Sequence, residues 1–188
     1  NGSDPSFIGD KDWDSGGNPG YTICRSGSGW KINIANTKRE RYDVGSSKPL
    51  EDGNWHHLAV VFDKTRLCTV YQDGEKVGES VLTYKAGDDM TSPFNYLCLG
   101  QDGTQTYSGG YPNWAGSFNE VRIWTDALSE QTIRDYMYLR NIENSGHPNR
   151  ASLNLYLKMD EVRGSVVKDF SGKGNNGELI GAASERHP

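Results

Sequence analysis

The sequence predicts an all-β fold, a sandwich of two antiparallel sheets with one short helix, on three observations. Residues 55–63, WHHLAVVFD, alternate with period two: His56, Leu58, Val60 and Phe62 fall on one side, Ala59 and Val61 on the other. Asp73-Gly74 stands between LCTVYQ and EKVGESVL, and Asp-Gly suits a two-residue hairpin turn because both positions tolerate positive φ. The rest of the chain breaks into short strand-like runs separated by Gly- and Asn-rich segments, the spacing of a sandwich or barrel.

In chain order, strands are expected at 20–25, 30–35 and 41–44. The next is 55–63; because both of its sides are largely apolar, it reads as a strand in the middle of a sheet rather than an exposed edge. The hairpin follows at 67–72 and 75–83, then strands at 96–100 and 115–124. SEQTIRDYMYLRNI departs from this pattern. Ser129 can cap a helix, Glu130 and Gln131 suit its first turn, and Ile133, Tyr136, Met137 and Arg140 follow helical spacing. Residues 142–152 read as a connector, and there is no solenoid repeat.

With 188 residues the chain is long enough for one sandwich, so a single domain over 1–188 is expected. A net charge of −5 with interspersed signs offers no polycationic face, which argues against a nucleic-acid partner. No apolar run approaches the ~20 residues of a membrane span, so no membrane insertion is expected. NGSDPSFIGD lacks the regions of a signal peptide, and the chain reads as a soluble piece of a longer precursor. Cys24, Cys68 and Cys98 sit in apolar or β-branched runs with no C-x-x-C spacing, as buried thiols do.

DGNWHHLAVVFD, VYQDGEKVG, LGQDG and WAGSFNEVRIWTDALSEQTI together resemble the laminin-G-like family of the concanavalin A-like lectin/glucanase superfamily, over roughly residues 50–135. FIGDKDWDSGGNPGYTI with WKINIA resembles the variant found in secreted or periplasmic proteins of gut-type Bacteroidetes, often attached to sulfatase-like or phosphodiesterase-like enzymes. The resemblance implies a jelly-roll sandwich and a secreted, periplasmic or cell-surface setting. Two departures stand out. The family's opening strand, of the type FTVEFWVK, does not precede FIGDKDW, whereas 153–179 resembles the segment that opens such modules. The tail 153–188 therefore either packs back as a substitute strand or belongs to a truncated second copy.

Asp10, Asp12 and Asp14 place carboxylates at alternate positions, as oxygen-ligand calcium loops do. Ser15 at position six and Tyr21 at position twelve exclude an EF-hand. Two readings stay open: a structural Ca2+ site completed by Asp102, or a solvated turn whose side chains bond their own backbone. In the family the position of Asn119 is often Asp and helps bind the ion, and Asn keeps one carbonyl ligand without the charge.

Sugar binding calls for aromatic rings flanked by amides and carboxylates. Tyr107, Tyr111, Asn113 and Trp114 supply them in one Gly-rich loop, joined by Trp13 and Asn18 from the first. The competing reading is that these aromatics pin loops onto the sandwich. Trp30, Trp55 and Trp124 lie within strand patterns and are expected in the core. His56 and His57, adjacent on a strand, point to opposite faces and cannot share an ion.

Glucanases of this fold share an E-x-D-x-E or E-x-D-x-x-E strand, which does not occur here, and Asp160 and Glu161 are adjacent and would diverge on a strand. No enzyme activity is expected. The sequence thus points to a non-catalytic module whose partner is a glycan or polysaccharide. The alternative partner is a neighbouring domain of the parent protein, for which the chain acts as a brace.

Overall fold

A computed structural model of the chain describes residues 4–108 and 116–181. These are mostly β, with twelve strands in three antiparallel sheets and one α-helix. The chain separates into two compact units, Asn1–Ala115 and Gly116–Pro188.

In the first unit, β1 (Ser6–Gly9), β2 (Gly20–Ser26), β3 (Gly29–Ala35), β4 (Arg41–Ser46) and β8 (Cys98–Leu99) form a five-stranded sheet in the order β4-β3-β2-β1-β8. β5 (Leu58–Asp63), β6 (Leu67–Gln72) and β7 (Glu75–Val81) form a three-stranded sheet in sequence order. The β6–β7 turn is the expected Asp-Gly type, with φ of 55° at Asp73 and 78° at Gly74. Trp30, Ile32, Ile34 and Val44 of the larger sheet and Cys68 and Val70 of the smaller are buried. Trp30 Nε1 donates to Gln72 Oε1 across the sheets at 3.0 Å, and the Gln72 amide donates to Pro49 O at 3.0 Å, so both buried polar groups are satisfied. On one side the sheet edges meet backbone to backbone: a Cβ on Gly78 of β7 would strike the Gly45 carbonyl of β4.

The strand expected over 55–63 is shorter and lies elsewhere in the sheet. It begins at Leu58 and, as β5, is an edge strand whose residues are all half-buried, not a middle strand. The cause is local. Asp52 Oδ1 accepts the Asn54 N–H at 2.9 Å and Asp73 Oδ1 accepts the His57 N–H at 2.9 Å, so carboxylates take N–H groups that a ladder would otherwise use. The residues before Leu58 form a loop, and Trp55, expected in the core, is 67 % exposed.

In the second unit, β9 (Val121–Trp124), β10 (Leu153–Arg163), β11 (Val166–Asp169) and β12 (Gly177–Glu178) form a sheet in the order β12-β11-β10-β9. The tail 153–178 thus hydrogen-bonds to the SFNEVRIW strand through β10. Helix α1 (Glu130–Tyr136) is capped as expected, Ser129 accepting the Thr132 N–H at 3.0 Å. Ile142, Leu153 and Tyr156 form the core of this unit, with Trp124, Leu139 and Phe170 packed against them. Asp169 organises the turn after β11 by accepting from the backbone N–H groups of Tyr156, Ser171 and Asn175 at 2.8–2.9 Å. All three cysteines are free, and burial pushes the Cys24 and Cys68 thiols up to about 12.

Candidate functional site

Register divides the five-stranded sheet into two faces. Ile23, Ile32 and Val44 form one cross-strand row on the face packed inward; the next two rows, Cys24–Lys31–Gly45 and Thr22–Asn33–Asp43, lie on the opposite, more polar face. Wrapping the β4 edge of the sheet is a groove of about 430 Å³ lined by Ser26, Trp30, Lys31, Asp43, Gly45, Ser46 and Ser47. Lys31 Nζ lies 3.1 Å from Asp43 Oδ1, and Arg41 donates to Asp43 Oδ2 through Nε at 2.9 Å and Nη2 at 2.7 Å. Burial alone would raise the Asp43 carboxyl, but its bonds to Arg41 and Lys31 outweigh this and hold it below the usual range. The groove therefore presents an ionised carboxylate, an ammonium and serine hydroxyls beside a glycine that leaves the strand bare.

The same end of the unit carries the β2–β3 turn, the loop between β4 and β5, and the β6–β7 turn. Leu50 N–H donates to Ser28 O at 3.3 Å, Arg25 pairs with Glu51 at 3.0 Å and Lys48 with Glu75 at 3.1 Å, tying the three connections together. From this loop Trp55 projects into solvent. Its neighbour His56 is held between two carboxylates, Nδ1 at 2.9 Å from Asp73 Oδ2 and Nε2 at 3.0 Å from Asp52 Oδ1. The bond to Asp73 is the main cause of a raised His56 pKa, with burial opposing and Asp52 adding. Asp52 is pushed down to about 2, first by the Asn54 backbone and then by the Asn54 and His56 side chains. The two charge-assisted bonds fix the backbone on which Trp55 stands.

Sequence reasoning placed Trp55 in the core and so missed it. The signal available was Glu51-Asp52-Gly53-Asn54 immediately before it, a turn sequence that pulls the next residues out of the strand.

The sequence-derived candidates fall in other places. Trp13 is only 6 % exposed: its Nε1 donates to Asp4 O at 3.0 Å, its ring lies tilted on Tyr107 at 6.4 Å, and the Lys31 ammonium lies over it at 5.3 Å. It pins the loop instead of facing a ligand. The Tyr107 hydroxyl donates to Asp4 Oδ1 at 2.6 Å, and the half-buried Asn18 gives its amide to Asp12 O at 3.1 Å. Tyr111, Asn113 and Trp114 lie outside the described residues.

The acidic loop does not fit a calcium ion. Asp102 is fully buried, and both of its oxygens accept from protein donors: Oδ2 from Trp13 N–H at 2.9 Å, Oδ1 from Thr104 N–H at 3.0 Å and Thr104 Oγ1 at 2.7 Å. Asp10 Oδ1 accepts the Tyr21 N–H at 2.8 Å, and Asp12 Oδ1 accepts the Asp14 N–H at 2.9 Å. Burial raises the Asp10 carboxyl, the bonds from the Tyr21 and Asp10 backbone opposing. Asp14 is exposed, and Asn119, in the second unit, is exposed as well. Among the described residues no group of three or more His, Cys, Asp or Glu side chains is placed to hold a metal. Calcium takes six to eight oxygen ligands at about 2.3–2.6 Å, carboxylates chief among them, and here the carboxylates are turned to N–H donors.

The family model described as the concanavalin A-like lectin/glucanases superfamily, of laminin-G type, matches residues 1–134. The chain belongs to this superfamily. Among solved structures, one from Bacteroides ovatus ATCC 8483, of a protein assigned as carbohydrate-binding, is similar to it, with 22 % identity and a TM-score of 0.64. The alignment covers 93 % of this lectin-like chain and 47 % of that one, so the chain spans about half the length of its structural relative. An S-layer domain-containing protein from Clostridium thermocellum ATCC 27405 aligns over 72 % of this chain and 63 % of its own at 20 % identity and a TM-score of 0.32. Among curated proteins, none matches.

Proposed function

We propose that this chain is a non-catalytic carbohydrate-binding module of a larger extracellular protein, and that the glycan docks at the end of the first unit where Trp55 and the groove lie. The observation that carries the reading is the exposed indole of Trp55 on a loop held by charge-assisted bonds. A sugar ring stacks its C–H face on such a surface, and a pre-ordered loop loses little entropy on binding. Ser26, Ser47, Lys31 and Asp43 line the groove at the same end with groups able to hydrogen-bond sugar hydroxyls. The superfamily and the assignment of the Bacteroides ovatus relative support a glycan as the ligand class.

The module binds without turnover. The neighbour of Trp55 on this surface, His56, has both ring nitrogens engaged by carboxylates, so neither is free to act on a bound sugar. Its service to a parent enzyme would be to raise the local concentration of polysaccharide.

The test is affinity electrophoresis of the wild type and of Trp55→Ala through gels containing soluble polysaccharides. Trp55→Ala should weaken retardation by about tenfold or more while leaving the melting temperature unchanged. Equal retardation of the two proteins would remove Trp55 from the site.

A second reading, a brace against a neighbouring domain, draws on the edge strand β5, whose Leu58–Phe62 segment is apolar and half-buried throughout. That reading predicts no retardation in any gel.

A further inference from the structure

The acidic loop is arranged around a cation, and the cation is a side chain of the protein itself. Lys11 is fully buried. Its ammonium donates to Gly16 O at 2.9 Å, on the far side of the loop, and to Asn33 Oδ1 at 2.6 Å, on β3. The Trp13 ring completes the enclosure, with its centroid 5.9 Å from Nζ. One acceptor from the loop itself and one from β3 thus converge on one positive charge, as the oxygens of a metal loop would. Asn33 is itself anchored by donating to Asp43 Oδ1 at 3.3 Å.

The surroundings reinforce this. The carboxylates of Asp10 and Asp12 accept from backbone N–H groups instead of converging on a common point. Two further cations line the loop from outside. The Arg41 guanidinium lies against Gly16, where a Cβ would strike it, and Arg39 Nη2 donates to Ser15 Oγ at 3.2 Å. A divalent ion here would have to displace the Lys11 ammonium from the Gly16 carbonyl and the Asn33 amide oxygen it already holds.

We propose that Lys11 is the built-in cation of the 10–18 loop, and that its ammonium makes the order of this loop independent of calcium. A calcium loop is ordered only when the ion is supplied. A loop closed by a lysine is ordered by folding alone, its two acceptors and aromatic face already occupied by an ammonium.

Hydrogen–deuterium exchange of the full chain, read by mass spectrometry on peptides spanning residues 10–18, tests this. For the wild type, loop protection should be the same in millimolar calcium and in EDTA. Lys11→Met, which keeps the length and removes the charge and donors, should raise loop exchange by about tenfold or more in both buffers. Wild-type protection that increases with calcium overturns the proposal, and so does Lys11→Met protection equal to wild type. If Lys11→Met does not fold, the wild-type comparison between the two buffers still decides.

Discussion

At the scale of single residues, the polar side chains here act mainly on the backbone. Asp102 is the clearest case: a fully buried carboxylate that accepts from Trp13 N–H and from Thr104 twice, joining two loops far apart in sequence. Asp102→Ala should therefore destabilise the chain by roughly 2–3 kcal/mol, because it strands buried donors as well as losing the bonds. Urea denaturation measures this, and a change below about 0.5 kcal/mol would mean that water replaces the carboxylate. The sequence marked Asp10, Asp12 and Asp102 as residues with a task but left open whether the partner was a metal or the loop's own backbone. The alternate spacing of acids reads alike for a calcium loop and for Asx turns. Asp12 with Asp14 is such a turn, and what separates the two is the approach of Lys11 and Trp13, a tertiary fact. Trp13 shows the same limit: an aromatic in a polar loop is equally consistent with a platform and with a pin.

At the scale of elements, the hairpin, the helix cap and most strands were legible because each depends on neighbouring residues. Asp73-Gly74 and Ser129 specify local geometry through their own backbone and side chain. The start of β5 was only half legible: the turn sequence at 51–54 signals it, but it depends as well on Asp73, in the β6–β7 turn, reaching back to His57. This arrangement carries a pH dependence. His56 has its pKa raised above 6.5, so its contribution is fully present below that value and is lost as pH rises through the folded value. Asp52 and Asp73 have theirs lowered from 3.8, so their contributions are present above 3.8 and lost as pH falls through the folded values, about 2 for Asp52. The clip is strongest between pH about 4 and 6.5. The difference in melting temperature between wild type and His56→Gln should peak in that window and shrink above it. A difference that does not vary with pH would show that the ion pairs contribute nothing.

At the scale of the whole molecule, the order of motifs made the superfamily and its β-sandwich class readable, while the pairing of individual strands was not. WHHLAVVFD, the Asp-Gly hairpin and SFNEVRIW follow one another as in laminin-G-like domains, and the family match over residues 1–134 agrees. Yet the strands hydrogen-bond in three sheets and the chain separates into two units, divisions set by long-range pairing that no local pattern reports. Composition narrowed the expectations without choosing a function: a net charge of −5 with interspersed signs offers no polycationic face, and no helix of the described residues is long and apolar enough to cross a membrane. The choice between a glycan and a neighbouring domain rests on the surface that carries Trp55.

The measurement that tests that choice most directly is binding of the purified chain to an array of host and plant polysaccharides, run once with calcium and once with EDTA. The account predicts a hit of equal strength in both buffers that is lost in Trp55→Ala. A blank array in both buffers, from a folded protein, would contradict it.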